Sequence, residues 1–230
     1  MSMKRKPPTD NVRRVISLGN NFRGVTTNKR DRLVQFESEQ ERKLILLLER
    51  DPSVVDYVSQ PETLIFSDGK GRQRRYTPDF QVWRVNGKIE LHEVTVQSRR
   101  ESHESLHERE AAAQLICQER GWQYVVHTDQ TLPSDWEYAS LDFLSAFRTQ
   151  CYADIESANW WLEKLKGRGQ IHPKLVLSQL EPGMKVNVLI TSLYYMLWHG
   201  EIEMNWRQPF FWQGDFHLGA SIWLPEGGER

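Results

Sequence analysis

Apolar and polar positions follow two rhythms along this chain, and the rhythm changes where turn residues stand. Residues 36–50 have a helical period: Leu44, Ile45 and Leu48 share one face, and Glu41 joins it one turn earlier. Ser38 is placed to cap this helix, Glu41 completes a capping-box spacing, and Asp51-Pro52 ends it. A short strand is expected over 62–66, followed by turn chemistry at Asp68-Gly69-Lys70-Gly71. A second strand is predicted over 76–85, where Phe80, Val82 and Arg84 alternate with Asp79, Gln81 and Trp83. Asn86-Gly87 is a strong hairpin signal, and a third strand returns over 89–96. A helix over 102–120, capped by Ser102 and stopped by Gly121, leads to a fourth strand over 122–128. That crossover is long enough to set the fourth strand parallel to a neighbour.

The pattern then changes. Helices are expected over 151–166, 174–180 and 186–199, the last closed by Gly200, with short strands over 201–206 and 210–223. Helices followed by a β-ribbon suggest a small winged-helix-like domain. The chain thus reads as an N-terminal arm (1–35), an α/β domain (36–150) and a C-terminal domain (151–230), without internal repeats. The aromatics at 160, 161, 194, 195, 198, 206 and 212 read as core, and Cys117 as a buried thiol.

Charge adds an asymmetry. The chain carries −1 overall, yet residues 1–35 hold nine Lys and Arg against Asp10 and Asp31. A basic arm (Lys4, Arg5, Lys6, Arg13, Arg14) on an acidic body suits a polyanion such as DNA. Lys70, Arg72, Arg74 and Arg75 form a second basic cluster at the predicted hairpin. Two cysteines cannot build a disulfide framework or a four-ligand zinc site. No apolar run approaches membrane-span length and none follows the basic start, so a cytoplasmic protein without a membrane partner is expected.

The candidate chemistry lies in the carboxylates. Pairing around Asn86-Gly87 brings Asp79 and Glu93 to neighbouring positions on one sheet face, and Glu41 points inward from the preceding helix. Three converging acids raise one another's pKa unless a cation sits among them. Mg²⁺, which prefers oxygen ligands, would relieve that repulsion and activate a water for attack on a phosphodiester. Each acid also has a plain structural role open to it. Glu41 completes a capping box, Asp79 sits beside a turn, and Glu93 is in reach of a cross-strand Arg.

Phe36-Glu37-Ser38-x-x-Glu41, Asp51-Pro52, Gln60-Pro61, Arg75-Tyr76-Thr77-Pro78-Asp79-Phe80 and Glu93-Val94-Thr95, in this order, resemble the TnsA family. These are endonuclease subunits of heteromeric cut-and-paste transposases. The resemblance covers 36–150 well and 151–230 weakly. It implies a restriction-endonuclease-like core, a mixed sheet flanked by helices, followed by a winged-helix domain. It also implies a Mg²⁺ site, with Mn²⁺ as substitute, drawn from Glu41, Asp79, Glu93 and the Val94 carbonyl. The implied partners are transposon-end DNA, a TnsB-like transposase and a TnsC-like AAA+ regulator, at the bacterial nucleoid. The family's usual lysine falls on Thr95, which carries no charge. Two readings follow: catalysis persists with the Thr95 hydroxyl or Gln97 in its place, or the subunit serves DNA and regulator binding without cutting.

Overall fold

Helix α1 (Glu39–Arg50) starts where the capping chemistry places it: the Ser38 hydroxyl accepts the Glu41 N–H, and the chain leaves the helix at Asp51. Its apolar stripe, Leu44, Ile45 and Leu48, packs with Val54, Tyr57, Phe80 and Val82 into one core. The computed structural model describes residues 22–180, 183–208, 211–212, 215–216 and 220–225. The chain divides into two compact units, Met1–Leu132 and Pro133–Arg230.

In the first unit, β1 (Gly24–Thr27) and β2 (Leu33–Phe36) form an antiparallel hairpin, and Val34 and Phe36 join the α1 core. Residues 24–36 are therefore part of the folded unit, not of an arm. The central sheet has the order β3-β6-β7-β8: β3 (Val54–Ser59), β6 (Phe80–Arg84) and β7 (Ile89–Val94) are antiparallel neighbours. The crossover after β7 makes β8 (Gln123–His127) parallel to it. Between β3 and β6 the chain makes a separate hairpin, β4 (Leu64–Ser67) with β5 (Gln73–Tyr76). Helix α2 (Gln97–Ser102) and helix α3 (Glu104–Arg120) fill the crossover, and Gly121 closes α3 in the left-handed conformation.

Side-chain alternation on β7 sorts the two layers. Leu91 packs with Ala113 and Cys117 of α3, together with Leu64 and Tyr76 of the side hairpin. Val82, opposite Glu90 on β7, packs toward α1. The sheet is thus covered by α1 on one face and α3 on the other, an arrangement compatible with a restriction-endonuclease-like core.

Three expectations change. The predicted strand 76–85 is two strands in different sheets, broken at Thr77-Pro78-Asp79, where proline has no N–H to give a ladder. Strand β3 escapes the alternation signal because a bulge interrupts it between Val54 and Asp56. The Asp56 carboxylate is buried there, held by the Asn28 side-chain amide at 2.9 Å and by Arg32. Helix α3 begins at Glu104; Ser102 ends α2, and its hydroxyl turns back to the Arg99 carbonyl.

The second unit begins before residue 150, the boundary expected from the sequence. It contains α4 (Asp135–Leu144), α5 (Ile155–Leu165), α6 (Pro173–Leu177) and α7 (Val186–His199). Trp161 is fully buried, and its indole N–H donates to the Leu189 carbonyl at 2.8 Å. Tyr194 and Trp198 are buried on α7. Strand β9 (Glu203–Met204) pairs with a late strand at Ile222–Trp223, and Ile171 bridges to Ile222 on its other side. The side chain of Trp212 lies outside the described residues.

Leu91 has no solvent exposure and ties the sheet to α3. Leu91→Ala is expected to destabilise the first unit by about 2–5 kcal/mol. Urea unfolding followed with a probe in that unit measures it, and the unfolding of the second unit should stay put.

Candidate active site

The β6–β7 register pairs Phe80 with His92 and Gln81 with Leu91. One further step sets Asp79 opposite Glu93, at the end of the sheet away from the Asn86-Gly87 turn. The Asp79 carboxyl accepts the Val94 N–H at 2.7 Å and is hydrogen-bonded to the Glu93 carboxyl. Two carboxyls joined this way share a proton. Burial, and then the Glu93 charge, push Asp79 far above the usual carboxylate range. Burial also raises Glu93, but Arg109 and the Tyr76 hydroxyl oppose the shift. Asp79 is therefore raised the more strongly of the two, while Arg109 and Tyr76 favour the charged form of Glu93.

Glu41 approaches from α1. Its carboxylate accepts the Glu37 N–H at 2.8 Å and the Ser38 hydroxyl at 3.1 Å, so it does complete the cap. Burial and the nearby Asp79 raise it to about 7. A helix N-terminus ordinarily favours the charged form, so desolvation wins here. Asp79 is the member common to both acid–acid interactions.

Helix α3 supplies what the strands lack. The Arg109 guanidinium pairs with the Glu93 carboxylate, and its central carbon lies 4.6 Å from the centroid of the Tyr76 ring. Tyr76 donates to the other Glu93 oxygen and meets the Tyr124 hydroxyl at 3.0 Å. Behind them Arg100 grips the buried Glu110 carboxylate with two nitrogens. Tyr76 stood inside the recognisable motif. Arg109 carried no signal, because only the docking of α3 on the sheet decides which of its residues reaches Glu93.

Of the remaining expected site residues, Val94 ends β7 with its N–H on the Asp79 carboxyl. The Thr95 N–H is held by the His127 carbonyl at 2.9 Å. Gln97 does not share a strand face with Glu93. The strand stops at Val94, Gln97 opens α2 on the Asp129 side chain, and its amide turns to Glu101 at 2.7 Å. On the side hairpin, Asp68 binds both Arg72 and Arg74 and is lowered to about 2, chiefly by the Arg72 N–H; Lys70 and Arg75 are exposed. Lys4, Arg5, Lys6, Arg13 and Arg14 lie outside the described residues.

Among the described residues, no three His, Cys, Asp or Glu side chains form a ready-made metal cluster. The Glu93 oxygens are directed to Tyr76 and Arg109, and those of Glu41 to its own cap. The donor chemistry still fits a hard divalent cation. Asp79 and Glu93 offer oxygen ligands only, and their mutual repulsion, which Arg109 opposes in part, is what a cation would relieve further.

The Glu41 shift has a direct consequence. Without metal, the folded chain holds a proton that the unfolded chain has released, so stability falls as pH rises from about 4.5 through about 7. Glu41→Gln should remove that part of the slope, measured by urea unfolding in EDTA at pH 5 and pH 7.5.

The family described as TnsA-like endonuclease N terminal matches residues 51–129, which contain Asp79, Glu93, Thr95 and Arg109; Glu41 lies ahead of the match. No curated protein matches the chain. The paired strand-end carboxyls thus lie within the stretch, residues 51–129, that is similar to the TnsA-like endonuclease N-terminal family.

Proposed function

We propose that this chain is a Mg²⁺-dependent DNA endonuclease subunit of a TnsA-like transposition machinery, acting on transposon ends beside a transposase partner. The observation that carries the reading is the hydrogen-bonded Asp79–Glu93 pair inside the matched domain. Asp79, Glu93 and the Val94 carbonyl would hold the cation, with Glu41 beside Asp79; Mn²⁺ has the same ligand preference. When bound, the cation supplies Lewis acidity and a water acidic enough to attack a phosphodiester.

The chain's own groups do the rest. Asp79 gives up the proton it shares, and Glu93 retains the charge that Arg109 steadies. Glu41, which burial and the Asp79 charge raise to about 7 while no cation is bound, stands beside them as the third acid. Arg75 and Lys70, exposed on the side hairpin, are available to the DNA backbone. Thr95, uncharged where the family has lysine, favours a second reading: a weak or inactive subunit that binds DNA and regulator.

We further infer that residues 133–230 serve assembly with a TnsB-like transposase and a TnsC-like regulator, as a winged-helix-like unit. Helices followed by a short ribbon, with Ile171 bridged to Ile222, support that reading. No helix of the described residues is long and apolar enough to cross a membrane.

The deciding experiment is Mg²⁺-dependent nicking of transposon-end DNA, reconstituted with the neighbouring transposition proteins. Wild type should nick, and Asp79→Ala should reduce nicking to background while thermal unfolding stays cooperative. Absence of nicking by both, with DNA binding intact, selects the second reading. Separately, deleting residues 1–21 should weaken DNA binding about equally for all sequences. If about four cations of that segment meet phosphates, the slope of log K against log salt should fall by roughly 3 to 4.

A further inference from the structure

We propose that Arg109 is the cation through which this site meets an anionic phosphodiester, doing from α3 what Thr95, at the end of β7, cannot. The inference rests on the metal-nuclease reading above and adds to it the residue that contacts substrate.

A hydrolytic site built on carboxyls needs a positive group besides any metal, because the attacked phosphate is itself anionic and gains charge in the transition state. Position 95 provides a hydroxyl only. The charged neighbours are few and differ in availability. Lys88 lies in the turn that opens β7, roughly 16 Å of strand rise from Glu93. Arg100 is committed to Glu110 by three hydrogen bonds from two nitrogens. Arg99 is exposed on α2. Arg109 alone among these pairs with a carboxylate of the site.

Its setting resembles a held contact group more than a surface ion pair. The guanidinium lies over the Tyr76 ring, whose hydroxyl is fixed on the same Glu93 carboxylate. One terminal nitrogen serves Glu93, while the buried Nε–H has no acceptor among the described residues. A guanidinium carries five donors, so this one is underused, and an idle buried donor is costly unless a ligand or a shift of the side chain satisfies it. The side chain as a whole is 27% exposed, so it is not sealed from solvent. A planar fork with free donors matches a phosphate better than the point charge of a lysine would.

The test reads DNA binding, not cleavage. Fluorescein-labelled duplex DNA is titrated with the full chain by anisotropy, in EDTA and in Ca²⁺, an oxygen-binding cation. Wild type should bind more tightly in Ca²⁺. Arg109→Gln, which keeps a hydrogen-bonding amide but is shorter and uncharged, should lose about 10-fold of that gain and match wild type in EDTA. Arg109→Lys should stay within about threefold of wild type, and adding Thr95→Lys to Arg109→Gln should restore the gain. Should Arg109→Gln fail to fold by circular dichroism, Arg109→Lys decides: a folded protein without the gain overturns the proposal. A folded Arg109→Gln that keeps the full gain overturns it too, and leaves the nuclease reading standing. A wild type without any Ca²⁺-dependent gain, indistinguishable from Asp79→Ala, overturns both.

Discussion

Asp79 and Glu93 occupy one register position of an antiparallel pair, too buried for both to ionise without help. The surrounding structure answers that problem in layers. The strands press the carboxyls together, α1 brings a third acid whose charge worsens the repulsion, and α3 brings the one guanidinium paired with Glu93. The upward push on both carboxyls, strongest at Asp79, is what remains after those contributions are balanced. Such a site is destabilising by itself and is tolerated because Leu91, Val82 and the two helices hold the sheet end in place.

The same sheet contains a buried acid handled differently. Glu90, on the opposite face of β7, receives His92 at 2.9 Å and the Arg84 guanidinium, and is lowered to about 2. Arg84 also reaches Asp51 at the end of α1 and the Ser53 hydroxyl. His127 stacks on His92 and, through burial, falls to about 4, so it adds no charge at neutral pH. Every group there has a partner and the acid is stabilised as an anion. Three residues away on the same strand, the Asp79–Glu93 pair is left proton-bound. One strand thus carries a satisfied structural network and an unsatisfied reactive one, separated by the alternation of its side chains.

The absence of a lysine at position 95 changes where positive charge enters. A charge on the strand end would sit beside Glu93 by the local geometry of β7. A charge on α3 depends instead on how the crossover helix docks. The break at His103 between α2 and α3 matters for that reason, since it sets the start of the helix that carries Arg109 and Glu110 toward the sheet.

Local chemistry was readable from residue order alone. Ser38 and Glu41 define a cap within four residues, Asn86-Gly87 turns the hairpin that opposes Asp79 to Glu93, and Gly121 and Gly200 close helices where no side chain is tolerated easily. Each of these depends on neighbours a few residues apart, so sequence carries them. Strand β3, with its bulge and its buried Asp56, could not be read that way, because the partners of that carboxylate, Asn28 and Arg32, are more than twenty residues distant. Gln97, just past the expected strand, opens a helix instead of standing beside Glu93, because the Asp129 side chain that receives its N–H is remote in sequence. Arg109 was invisible for the same reason. Which α3 side chain meets Glu93 is decided by how the helix packs on Leu91, Leu64 and Tyr76, and packing of that kind exists only once the chain has folded.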